Sequence, residues 1–256
     1  MERSFFLEHT TGPIPVHLTR AADTTPELLV LGVHGIGGSS QDSIQAALAE
    51  EMAIFGCDTI RFDLPAHGEN PTRELTLAGC VDTLLAVAEY ARASYPQVTQ
   101  LCIFATGFGA YVTLVALEQL LALPWQVRLV VQTPSMMMHE TILAMKGISR
   151  QTLWAMDTVP FPAPRPFQLT YRFYEELLAH PALTAQPIPI LILQGQEDRY
   201  ISMEDIRQFH RLNPDSRQVI SPGASHRFLE AGAWDMVLDL TRDWFAHQQV
   251  LLSDWS

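Results

Sequence analysis

The side chains able to do chemistry are few and widely spaced. His226 stands in SPGASHRF, Ser221 to Phe228, and the neighbouring carboxylates Glu197 and Asp198 stand in ILQGQEDRYIS, Ile192 to Ser202. Imidazole and carboxylate are the residue types of proton transfer near neutral pH. His34, Asp63 and His67 have the donor types of a metal site but no ligand-spacing motif, so no metal is expected. The glycine-rich VHGIGG, Val33 to Gly38, lacks the Lys and Ser/Thr of a phosphate-binding P-loop. Cys57, Cys80 and Cys102 lie far apart in apolar stretches with no CxxC, and are expected as buried free thiols. In LCIFATGFGAYVTL, Leu101 to Leu114, a strand runs into a helix through a tight turn of small residues centred on Gly107. Four hydroxyls could serve near these loops. Thr106 adjoins the turn, but alternation along a strand end should point it away from His226. Ser135 ends the next strand, and Ser39 and Ser40 follow the glycine-rich loop.

These residues must be held by regular elements, and the chain supplies them in alternation. Six apolar, β-rich runs end in loop residues: Glu27 to Gly35, Gly56 to Gly68, Thr99 to Gly107, Gln126 to Pro134, Pro187 to Gly195 and Ser216 to Gly223. A continuous apolar run is what a strand buried on both faces requires. Helical patterns lie between them, at Ser43 to Gly56, Leu75 to Pro96 and Gly109 to Ala122, the last reading as one continuous helix. SFFLEHTTGPIPVHLTRA reads as a hairpin turning near Gly12-Pro13. The class is therefore α/β, a doubly wound and mostly parallel sheet in a single domain over residues 1–256. Residues 135–186 are too many for one connection and carry Met136, Met137, Met138, Trp154, Phe161 and Phe167. They are expected to form a compact helical cap insertion. It would sit over the carboxyl ends of the strands, where such sheets bind ligands, with Gly35, Met137 and Trp154 facing the ligand.

Four of these stretches, in order, resemble the motifs of the α/β-hydrolase superfamily. The layout is that of its small bacterial esterase/lipase and serine-aminopeptidase-like branch, and the similarity covers nearly the whole chain. The resemblance implies that VHGIGG ends a strand in His-Gly, with the backbone N–H of Ile36 contributing to an oxyanion hole. RFDLPAHGEN, Arg61 to Asn70, resembles a structural turn of the family, with Pro65-Ala66 where glycine is frequent. In the small-x-Ser-x-small elbow, Ala105 and Gly109 match the small positions, Phe108 the second oxyanion donor, and Gly107 the nucleophile. Asp198 matches the catalytic acid and His226 the general base. The plainer readings of these two are a capping carboxylate and a surface histidine.

The resemblance implies a carboxylic-ester or amide hydrolase type acting on or binding a small ester. The apolar and aromatic cap residues favour an acyl or aromatic group. Glycine at position 107 implies activity that is impaired or lost. Two alternatives follow: a non-catalytic small-molecule-binding protein on the same fold, or an Asp198–His226 dyad that deprotonates water. The net charge is 16 − 28 = −12, which argues against nucleic acid or an anionic membrane as partner. The N-terminus is neither a signal peptide nor a membrane span, so a cytoplasmic location is expected. No organic cofactor is implied, and the sequence is compatible with a homodimer.

Overall fold

The structure, a computed structural model, describes residues 1–21, 26 and 28–246. Glu27, at the head of the first expected run, lies outside the described residues. A hairpin of β1 (Glu2–Leu7) and β2 (Ile14–Thr19) opens the chain, and Leu7 pairs with Ile14 beside the Gly12-Pro13 turn. Strand and helix then alternate through β3 (Leu28–Val33), α1 (Ser43–Ile54), β4 (Asp58–Phe62), α2 (Leu77–Ser94), β5 (Gln100–Thr106), α3 (Gly107–Val115), α4 (Leu117–Ala122) and β6 (Gln126–Gln132). Next come α5 (Met138–Lys146), α6 (Arg150–Met156), β7 (Thr158–Phe161), β8 (Phe167–Thr170) and α7 (Tyr171–Ala179). The chain closes with β9 (Ile190–Gly195), α8 (Met203–Leu212), β10 (Arg217–Ser221) and α9 (Ala233–Ala246).

The main sheet has eight strands in the order β1-β2-β4-β3-β5-β6-β9-β10. β1, β2 and β4 pair antiparallel; all the other pairings are parallel. The chain leaves β3 toward β4 on one side and returns to β5 on the other. The carboxyl ends of β3 and β5 therefore flank the point where strand order reverses, where such sheets form a crevice.

The apolar runs are continuous because each strand is covered twice. In β5, Leu101, Ile103 and Ala105 pack into a core shared with α2, α3 and α4. Cys102 and Phe104 point the other way, into a core shared with α1 and α9. α2 shows why its sequence is helical. Thr76 caps its start by accepting from the Gly79 N–H, and Cys80, Leu84, Val87, Ala88 and Ala91 form a buried stripe at helical spacing. It ends at Tyr95, directly before Pro96. The helix expected from Gly109 to Ala122 begins earlier, at Gly107, and is interrupted at Ala116. The interruption is shallow, since Ala116 N–H still donates to Val112 O and Ala116 O still accepts from Leu120.

Residues 135–186 hold three helices and also a hairpin, β7 with β8, whereas helices alone are expected from the sequence. The prolines at 160, 162, 164 and 166 obscure it. A two-stranded ribbon is all edge, so Pro160 removes no ladder bond from a central strand. Two partly buried charged contacts tie this segment to the sheet, beside an exposed ion pair of Arg172 with Glu74 at 3.4 Å. Arg165 donates to the carbonyls of His67 (3.1 Å), Gly68 (2.8 Å) and Asn70. Glu176 on α7 accepts from the Leu77 N–H, 2.7 Å, at the α2 N-terminus, where a carboxylate is favoured. Among the described residues no helix is long and apolar enough to cross a membrane.

Candidate functional site

A cavity of about 350 Å³ opens at the carboxyl ends of β3, β5 and β6. The loop after β3 supplies one wall and the turn at Gly107 and Phe108 the floor. His226 and Tyr200 close one side, and Phe161 to Pro164 of the hairpin reach over from the insertion.

Two glycines carry the geometry of the turn. Gly109 has no room for a side chain: a Cβ there would stand 2.4 Å from His34 O and 2.7 Å from Val33 O. Its bareness lets α3 lie against the end of β3. Gly107 differs. It has φ +49°, in the left-handed region that costs an L side chain, but there is space around it. A Cβ at Gly107 would meet His226 Nε2 at 3.7 Å and Gly35 Cα at 3.9 Å. The turn therefore aims whatever stands at position 107 at the His226 ring, with the loop after β3 on the other side.

His226 is oriented from behind. Its Nδ1 lies 2.8 Å from Asp198 Oδ2, so in the neutral ring Nδ1–H donates to the carboxylate and Nε2 faces the cavity as an acceptor. Tyr200 packs edge-on against the ring at 5.3 Å, and Thr133 Oγ1 donates to His226 O, 3.3 Å. Asp198 has a fully buried side chain, 0% exposed, against 22% for His226. Its Oδ2 also accepts from Gln194 Nε2, and its Oδ1 accepts from the N–H groups of Tyr200 and Ile201. Burial pushes this carboxyl up, but the hydrogen bond and charge of His226 and the two backbone N–H groups together outweigh it. They hold Asp198 below the ordinary carboxylate value of 3.8. Asp198 thus stays ionised and keeps Nδ1 protonated. Glu197 beside it is exposed, and among the described residues only its backbone is engaged, N–H to Ala224 O.

Ile36 and Phe108 both line the cavity, as does Gly35. Phe108 is the second residue of α3, where the N–H has no intrahelical carbonyl to meet. The loop carrying Ile36 is fixed through Asp63, whose buried carboxylate accepts from Ser40 N–H and Glu69 N–H at 2.7 Å each. His34 donates from Nδ1 to Gly35 O and accepts at Nε2 from the Leu64 N–H. Both ring nitrogens are thereby used within the protein. Burial lowers the pKa of His34, and burial followed by the nearby His34 lowers that of His67 to about 3. Both rings are neutral braces of the loop. Burial pushes the Cys102 thiol up to about 12 and Cys57 up to about 11, which removes them as nucleophiles near neutrality.

Two expected ligand contacts lie elsewhere. Trp154 is 67% exposed and away from the cavity, because the short α6 turns Leu153 inward instead. Met137 precedes α5 and serves through its carbonyl, which accepts from the N–H of Glu140 and Thr141; its neighbour Met138, with Met145, lines the cavity. Of the alternative hydroxyls, Ser135 donates to Thr141 Oγ1 at 2.7 Å, and Ser39 donates to Asp42. Thr106 lines the cavity with its hydroxyl against Gly35, with no bond to His226 among the described residues. Gln132 and Thr133 escape sequence reasoning. Thr133 has φ +45°, unusual for a β-branched residue, and no sequence signal marks it.

The comparisons with known proteins agree with this fold. A search of curated proteins found no match. Among solved structures, Est1E from Butyrivibrio proteoclasticus with ferulic acid bound superposes with a TM-score of 0.79 at 17% identity, covering 94% of this chain and 98% of that one. A putative hydrolase from Agrobacterium vitis gives 0.78 at 17% identity, covering 96% and 98%. The mouse alpha/beta hydrolase domain-containing protein 10 gives 0.75 at 17% identity, covering 94% and 97%. At these identities the likeness is one of fold. The model of the alpha/beta hydrolase family matches residues 30–240, from β3 into α9. The chain belongs to the alpha/beta hydrolase family.

Proposed function

We propose that this chain is an ester-binding protein of carboxylic-ester (or amide) hydrolase type in which Gly107 stands where the nucleophile would be. Its ligand is a small ester with an apolar acyl or aromatic group. Ile36 and Phe108 offer their N–H groups to the ligand carbonyl, and His226 with Asp198 forms the base. The observation that carries this is the 3.7 Å from a Cβ at Gly107 to His226 Nε2. A hydroxyl one bond beyond that Cβ comes within hydrogen-bond reach of the ring, the spacing a nucleophile and base need.

Without the hydroxyl no acyl-enzyme forms. Covalent hydrolysis would need a side-chain oxygen to attack the carbonyl carbon while its proton passes to Nε2, which then protonates the leaving alcohol. The chain retains the base, its carboxylate and the donors, but has nothing to attack with. Binding follows from the apolar walls, which include Ile36, Phe108, Met138, Phe161 and Pro162. The ferulic acid in the Butyrivibrio structure makes an aromatic acyl probe a reasonable first choice.

One observation favours a second reading, slow hydrolysis by water. Asp198 remains fully hydrogen-bonded and buried behind His226, an arrangement that a binding pocket alone does not require. A water beside Nε2 would lose a proton to the ring and add its oxygen to the carbonyl carbon; the adduct would then collapse by breaking the bond to the alcohol oxygen, which takes the proton back from Nε2. The test is an ester-hydrolysis assay of the parent, Gly107→Ser and His226→Ala. Large gain in the serine variant supports the assignment. No gain, in a variant shown to be folded, removes it.

A further inference from the structure

The cavity is not apolar throughout. Gln132 ends β6 directly opposite Thr106 in the parallel pairing with β5, one residue before the turn at Gly107. It is 1% exposed and lines the cavity, and its Oε1 has no hydrogen-bond partner among the described residues. Gln45 on α1 is also 1% exposed and lines the cavity, with both ends of its amide unpartnered among the described residues, but its Oε1 lies over Gly32 of β3, 2.3 Å from where a Cβ there would stand. The two amides share one side of the sheet. Cys102, Phe104 and Val130 precede Thr106 and Gln132 at alternate positions and pack in the core of α1 and α9, so Gln132 lies on the face of the sheet that these two helices cover.

A buried amide without a partner is costly, and natural cores rarely keep one unless something outside the protein completes it. Apolar residues of similar shape would stabilise this fold more. The buried polar side chains of the cavity, Gln45, Gln132, Thr133, Ser135 and Thr141, are all neutral. Its charged residues are held elsewhere. Asp42 accepts from Ser39, and Arg227 is exposed at the mouth. A charged ligand group set beside Gln132 would be buried away from the Arg227 at the mouth, whereas a hydroxyl or amide would meet the glutamine on equal terms.

We infer that the ligand carries, beyond its ester carbon, an uncharged hydrogen-bonding group, a hydroxyl or an amide, that is read by the buried amide of Gln132. The inference rests on the pocket's being the acyl-ester site proposed above. With no protein partner to fix it, either end of the Gln132 amide can turn to the ligand, so donors and acceptors are both accommodated. Purely hydrocarbon acyl groups are bound less well.

The test is calorimetric binding to the parent protein of matched methyl esters. One series has 4-hydroxyphenyl acetate, propanoate and butanoate; the other has 4-methylphenyl in its place. At one chain length or more, the hydroxyl member should bind roughly five- to tenfold tighter, the worth of one hydrogen bond. In Gln132→Met, of similar shape, the preference should vanish while the methyl member binds at least as well. The same variant should melt at a higher temperature, since an unpartnered amide is gone; a merely structural glutamine would lower it. Gln132→Asn, with the amide withdrawn by one carbon, should lower the preference without abolishing folding. Binding with no preference at any length, or a preference that survives in Gln132→Met, overturns the inference and leaves the acyl-ester reading intact. No binding by either series overturns both.

Discussion

His226 Nε2 lies 3.7 Å from the point where a Cβ on Gly107 would stand, with the opposite nitrogen of the same ring 2.8 Å from the buried Asp198. An imidazole nitrogen is thus aimed at a backbone position that has no side chain. The turn itself is unaltered by the lack, because Gly109 keeps α3 against β3 and glycine adopts φ +49° at little cost.

That φ has a thermodynamic consequence. Any L side chain at 107 enters a left-handed conformation at about 1–2 kcal/mol, with no close contact to add to it. Gly107→Ala and Gly107→Ser should each lower Tm by a few degrees. Thermal melts followed by circular dichroism decide it. A rise in Tm would show that the turn is not strained as described.

Gly109 responds differently. A Cβ 2.4 Å from His34 O has only backbone to push against. Gly109→Ala should cost about 3 kcal/mol or more and displace the loop that carries Ile36. Urea unfolding measures it, and a cost under about 1 kcal/mol would contradict the close approach of α3 to β3.

The Asp198 carboxyl is held below 3.8 in the fold, so its contribution is present above the ordinary carboxylate value. It is lost as pH falls through the lower folded value. Asp198→Asn should therefore melt below the parent at pH 7, and the gap should narrow from about pH 4 downward. Melting curves from pH 7 to pH 3 test the sign. A gap that widens in acid would mean that burial, not His226, dominates at this carboxyl.

Arg165 ties the insertion to the turn after β4 through three carbonyls. Arg165→Ala should cost roughly 1–2 kcal/mol, discounted for partial exposure, and open the hairpin that carries Phe161 to Pro164 over the cavity. Limited proteolysis should show faster cleavage within residues 135–186. An unchanged digestion pattern would show that the remaining contacts, of Glu176, Arg172 and the apolar side chains, hold the insertion without Arg165.

Much of the sheet is legible in the sequence because its strands are buried on both faces. β5 reads as an unbroken apolar run since Leu101 and Ile103 serve one core while Cys102 and Phe104 serve the other. Asp198 and His226 are legible through their motif order, and their mutual distance comes from the parallel pairing of β9 with β10. Side-chain direction in the insertion is not legible. Trp154 and Leu153 are neighbours of similar character, and only the packing of α6 decides that leucine goes in. The hairpin of β7 and β8 hides behind its prolines. Gln132 hides because one glutamine at a strand end is unremarkable until its burial is known.

The most direct test of the site is a side-by-side assay of the parent, Gly107→Ser and His226→Ala on short chromogenic acyl esters. On the proposed function, Gly107→Ser should hydrolyse them faster than the parent by roughly 10²-fold or more, as expected if the new hydroxyl acts as nucleophile with His226 as its base. His226→Ala in the serine background should erase the gain. A folded Gly107→Ser no faster than the parent would contradict the placement of Gly107 opposite His226 as the missing nucleophile.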